Sequence, residues 1–165
     1  MTRASTKTYG QSSGIETYNP LTGGYMSGYI RSCIIQSGHP LGELVIGLGV
    51  NIMAVASGNA KVAIYNSGRA LQAESATQTV HSGWNYFAVN PSFITVSGSR
   101  YEFAIKGDAA NVSGWVMRQQ TLSTNSGQSS VMSGEPYADA FPSTLAPGTL
   151  SRVSGLVYDL VMVAM

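Results

Sequence analysis

The apolar positions of this chain fall in short runs broken by Gly, Pro, Asn and Ser, and their spacing is that of strands. The clearest run is "RYEFAIKG". Tyr101, Phe103 and Ile105 take one face, while Arg100, Glu102, Ala104 and Lys106 take the other. A period of two predicts a strand with one side on a core and the other in water. "AKVAIYNSGRAL" sends Val62 and Ile64 one way and Ala63 and Tyr65 the other, then turns at "NSG". "WNYFAV" reads as a strand closed by "NPS", and "FITV" follows it. "ELVIGLGVNIMAVAS" is long and apolar. Its glycines, Gly47 and Gly49, would each weaken a helix by about 1 kcal/mol, so a strand that continues past a bend is predicted. "GYMSGYIRSCIIQ", "GWVMRQQ" and the nearly all-apolar "GLVYDLVMVAM" complete the set. The last predicts a strand that is central to a sandwich or buried by another chain.

Only "QAESATQTV" has helix-friendly residues, and its Thr77, Thr79 and Val80 favour a strand at its end. Residues 123–134 are a polar loop, and "EPYADAFPSTLAPGT" is irregular and Pro-rich. Residues 1–24, rich in Ser, Thr, Gly and Tyr, sustain no period and predict an extended arm or an irregular first strand. Strands recurring about every 8–12 residues, with turn signals between them, predict an all-β antiparallel sandwich or jelly roll. The expected organisation is a polar arm over 1–24 and one β-sandwich domain over 25–165.

Composition narrows the functional classes. A chain of 165 residues that is 44% apolar fits one domain with a real core. Only 10% of its residues are charged, against about a quarter in ordinary proteins. A polar, uncharged surface suits contact with another protein better than free solution. The nine Lys and Arg residues form no run and net charge is +1, which argues against a nucleic-acid partner. No apolar run approaches the roughly 18 residues that span a bilayer. The start "MTRASTKTYGQSSG" has no apolar signal-peptide region, so synthesis and folding in a cytoplasm are expected. Cys33 has no partner for an intrachain disulfide and reads as a small apolar residue between Ile30 and Ile34.

Candidate chemistry is thin. "GQSSG" matches G-x-S-x-G at Gly10 to Gly14, but no apolar strand precedes it and no helix pattern follows. His39 lies in a Gly-Pro turn and His81 opens the strand of Trp84; neither sits at metal-ligand spacing. Asp108 and Asn111 are too few for a calcium loop. Asp159, inside "LVYDLVMV", reads as a sheet-edge or interface carboxylate rather than a catalytic one. No catalytic, cofactor or metal residue is expected. The aromatics are the stronger candidates for contact. Tyr25, Tyr29, Trp84 and Trp115 could stack on sugar rings, although strand tryptophans such as Trp84 and Trp115 more often belong to a core.

"AKVAIYNSG" and "VHSGWNYFAVNPSFITVSGSRYEFAIKGD" resemble a recurring β-sandwich of bacteriophage virion proteins and some bacterial surface modules. Lys61, Val62, Ile64 and Tyr65 match its first strand; Gly83, Trp84 and Asn85 match its "A-G-W-N"; Val96, Gly98, Tyr101, Ala104 and Ile105 match its closing block. The resemblance covers about half the chain, and "PYADAFPSTL…VYDLVMVAM" extends it loosely. It implies a non-enzymatic, jelly-roll virion protein, of the capsid decoration (cement) or tail-appendage type. Its partner would be the major capsid protein or another virion protein, and the chain would form a homo-oligomer, with trimers matching the three-fold sites of viral shells. The arm residues Arg3, Lys7, Tyr9 and Tyr18 would then order on a neighbouring subunit. The alternative, a glycan-binding module, requires aromatics gathered on one exposed face.

Overall fold

The computed structural model describes residues 7–10, 29–35, 42–54, 58–96, 101–108, 116–117, 119–121, 127–133, 136–145, 150–154, 156–158 and 160–165. Among these, the regular secondary structure is all strand, joined by turns and irregular segments. In chain order the strands are β1 (Lys7–Gly10), β2 (Tyr29–Ile35), β3 (Leu44–Ala54), β4 (Asn59–Tyr65), β5 (Leu71–Ser75), β6 (Gln78–Thr79) and β7 (Gly83–Ile94). They continue with β8 (Tyr101–Gly107), β9 (Val116–Met117), β10 (Gln119–Thr121), β11 (Gly127–Ser133), β12 (Leu150–Ser154), β13 (Leu156–Tyr158) and β14 (Leu160–Ala164). The main sheet runs β1-β14-β3-β7-β5-β4-β8-β2-β11-β12, with β6 beside β4 and β9 beside β3; β10 and β13 pair separately. The pairings are antiparallel.

Strand β7 joins the two halves of this path. Its early residues pair with β3, from Ile52↔Gly83 to Gly47↔Ala88. The register then jumps to Val45↔Phe93. In the gap, Val89 and Asn90 pair instead with Ser75 and Glu74 of β5. "NPS" therefore does not close the strand, as its turn residues suggested; it forms a bulge, and the strand runs on to Ile94.

Alternation explains the core. Val62 and Ile64 of β4, Tyr101, Phe103 and Ile105 of β8, Leu48, Val50 and Ile52 of β3, and Phe87 and Val89 of β7 are buried in one cluster with Met162 of β14. The all-β, antiparallel reading of the sequence therefore holds, and a core shared by β14–β3–β7 and β5–β4–β8 is compatible with a sandwich or jelly roll. "QAESATQTV" is strand at both ends, β5 and β6, because pairing outweighs helix propensity there. Ala73 and Ser75 face inward, and the Ser75 hydroxyl accepts a 2.9 Å hydrogen bond from the Val62 N–H.

Two local side-chain devices fix the turns around β7 and β8. Gly83 has φ +94°, a conformation that suits glycine. Asn85, almost wholly buried, closes the same turn: its Oδ1 accepts from the His81 N–H, and its Nδ2 donates to the carbonyls of His81 and Gly83. Asp108 likewise ties the end of β8 to the start of β4, its two carboxylate oxygens accepting from the N–H and Nδ2 of Asn59 at 2.8 and 2.7 Å.

The arm is strand in part. Lys7–Gly10 pairs with β14, from Lys7↔Ala164 to Gly10↔Val161, so the Leu160–Ala164 half of "GLVYDLVMVAM" lies between β1 and β3, whereas its Leu156–Tyr158 half is a second strand that pairs with β10. Of the other candidates, Tyr29 opens β2, while Arg3, Tyr18, Tyr25 and Trp115 lie outside the described residues, as do His39 and Asp159.

Candidate interaction face

The sheet presents two outer faces, one over β4 and β8 and one over β14, β3 and β7. The first carries Lys61, Ala63 and Tyr65 of β4 beside Ala104, Lys106 and Glu102 of β8, in the register Lys61↔Lys106, Ala63↔Ala104 and Tyr65↔Glu102. The period of two predicted that Glu102 and Lys106 would face water. Instead all seven residues of β8 are buried. The cause is the Pro-rich segment 136–145, which lies across this face. Phe141 and Leu145 form a second small core with Ala63, Tyr65 and Ala104.

The segment is held by cations. The Lys106 ammonium donates to the carbonyls of Ala140 at 3.1 Å and of Pro136 and Asp139 at 3.4 Å, and lies 5.2 Å from the Phe141 ring centre. The Lys61 ammonium donates to the Asp139 carbonyl and lies 5.2 Å from the Tyr137 ring centre. Carbonyls and aromatic faces solvate a buried ammonium in place of water. Burial, then repulsion from Lys106, holds the Lys61 ammonium below its usual pKa, against the opposing pull of Glu74 and Asp139. Farther along, the Tyr65 hydroxyl donates to the Pro142 carbonyl, and the N–H groups of Leu71 and Leu145 bond the carbonyls of Ser143 and Arg69. Glu102 faces Arg69 at 3.9 Å.

The second face is different. β3, β7 and β14 contain no Asp, Glu, Lys or Arg. Asn85, Phe87 and Val89 take the inward positions of β7, so Trp84, Tyr86 and Ala88 point outward. Trp84 is 44% exposed and Tyr86 47%. Trp84 thus lies in a strand, as expected, but not in the core: its place in the alternation is opposite to that of Phe87. At the other end, Leu44 pairs with Ile94 and exchanges backbone bonds with Met165. Ile94 and Val96 are 62% and 60% exposed, and Met165 is exposed too.

Tyr86 is fixed rather than free. Its hydroxyl donates to the Ile46 carbonyl at 3.2 Å, and its ring covers Gly47 so closely that an added Cβ would come within 2.4 Å of Cε2. Its direct partner is Gly49, so the ring reaches diagonally across the pair. Burial raises the phenol pKa from its ordinary value.

Sequence reasoning singled out Trp84 but missed Tyr86, Gly47, Ile94, Val96 and Met165. The legible signal was the lack of charge in "LVIGLGVNIMA" and "GWNYFAVNPSFI". The side chains of Lys7, Tyr9 and Tyr29 lie outside the described residues. Among the described residues no group of three His, Cys, Asp or Glu could hold a metal, and no helix is long and apolar enough to cross a membrane.

No known protein family matches the chain, and no curated protein is significantly similar to it.

Proposed function

We propose that the protein is a non-enzymatic virion structural protein of a bacteriophage, of the capsid decoration or cement type, and that it acts by burying sheet surface against the major capsid protein or another virion protein. The observation that carries this reading is the open apolar end of the β14–β3–β7 face. There Ile94, Val96 and Met165 stand exposed around the half-buried Leu44 with no charged side chain exposed beside them among the described residues, whereas the charged β4–β8 face is covered by the chain's own segment. Exposed contiguous apolar surface marks interaction sites in soluble proteins, and depletion of charge is the mark of interface centres. Assembly as a homo-oligomer, with a trimer fitting a three-fold site of a shell, belongs to the same reading.

The test is made on particles. Lysates of the producing cell are fractionated on density gradients, and intact particles are read by quantitative mass spectrometry. The chain is expected at a fixed, high copy number per particle, and an Ile94→Lys variant is expected to be lost from the particle fraction while remaining folded. A chain found wholly outside particles, or an Ile94→Lys variant incorporated as wild type, overturns the reading.

A further inference from the structure

We propose that Trp84 and Tyr86 on the same face, the latter seated on Gly47, form a binding site for a neutral saccharide ring. Three observations carry this inference. The first is preorganisation. The hydroxyl of Tyr86 is anchored on the Ile46 carbonyl and its ring is seated on Gly47, so the aromatic plane is held against the sheet with its other side toward water. A rigid aromatic surface binds at a smaller entropy cost than a mobile one.

The second observation is the pairing of two such surfaces. Trp84 and Tyr86 are two positions apart on one outward row of β7, a spacing of roughly 7 Å from the strand rise. They are opposite Asn51 and Gly49 of β3. Gly47 and Gly49 add no side chain on this row, and the Tyr86 ring lies directly on Gly47.

The third is electrostatic. No charged residue occurs in β3, β7 or β14. A phosphate, carboxylate or ammonium ligand would find no opposite charge on these three strands to replace its hydration. A ligand with flat C–H faces and uncharged hydroxyls meets no such penalty, and a pyranose is that ligand. Trp84 lies opposite Asn51, seven residues and roughly 23 Å along β3 from Leu44, while the Tyr86 ring ends over Gly47, roughly 10 Å from it; Trp84→Ala therefore tests the saccharide site without touching the Ile94 patch.

The purified full chain is tested by saturation-transfer NMR against neutral trisaccharides of gluco, galacto, manno and N-acetylglucosamine type. Sulfated and sialylated trisaccharides and a Pro-rich peptide are run beside them. At least one neutral trisaccharide is expected to bind. Its affinity is expected to fall about tenfold or more in Trp84→Ala, whose side chain is exposed and whose loss leaves the core intact. The same fall is expected in Gly47→Ala, which keeps both aromatics but lifts Tyr86 from its seat. The melting transition of each variant checks folding, and Trp84→Ala alone decides the matter if Gly47→Ala is unfolded. Binding of no neutral trisaccharide, preference for the anionic sugars, binding of the peptide alone, or an affinity unchanged in Trp84→Ala would each overturn the assignment.

Discussion

The two outer faces of the sheet invert the usual arrangement. The face that carries Lys61, Glu102 and Lys106 is buried under residues 136–145, whereas the face without a charged residue stands open, with Trp84, Tyr86, Ile94 and Val96 exposed. Solvation explains how the first is tolerated. A lysine is buried when carbonyls and aromatic rings replace its water, and the Pro-rich segment supplies both to Lys106. Nothing comparable covers the second face among the described residues. Burial thus follows from what the chain brings to a surface, not from the polarity of that surface alone. The comparison also separates two kinds of aromatic. Phe141 is a structural anchor within the protein, while Trp84 is held out to solvent.

The comparison breaks most readily at Phe141. Phe141→Ala empties the small core under the segment and is expected to cost about 3 kcal/mol in urea unfolding; a loss below about 1 kcal/mol would mean that the segment rests on the sheet without stabilising it. Lys106→Met keeps the stem but strips the donor from three carbonyls, with an expected loss of about 2 kcal/mol. An equally stable variant would show that the cation is not what holds the segment. Trp84→Ala, on the open face, is expected to shift stability by less than about 0.5 kcal/mol. A larger shift would place Trp84 among the structural aromatics.

The smallest effect is a slope. The folded pKa of Lys61 lies below the unfolded value of 10.5. Between the two, the unfolded chain holds a proton that the folded chain has released, so stability rises with pH through that window. Urea midpoints at about pH 8 and pH 10 are expected to show this gain in wild type relative to Lys61→Gln. A parallel change in both proteins removes Lys61 from the account.

Much of the sheet was legible in the residues because alternation is a local signal. Val62 and Ile64 against Ala63 and Tyr65 were phased correctly, and both sides proved to be buried, in two different cores. What the sequence concealed is the partner of each face. Nothing in "EPYADAFPSTL" says that its carbonyls will meet Lys106, which is some 30 residues away in the chain. The phase of "WNYFAV" was equally hidden, since aromatics occur in both registers. Asn85, a polar residue, takes an inward place because its amide closes the turn before it. That inward Asn is what turns Trp84 and Tyr86 outward. Of the candidate contact residues, Trp84 was visible as an aromatic in a strand, but its exposure depended on this non-local choice.

The strapped segment also orders events in time. Residues 136–145 follow β4 and β8 in the chain, so both strands leave the ribosome before their cover exists. During that interval Lys61, Glu102 and Lys106 are the hydrated side of an emerging sheet, a charged flank that discourages pairing with other nascent chains. When the segment arrives, that protection is withdrawn from solvent and converted into internal support. Of the two faces, the uncharged one is then the one left open to solvent among the described residues.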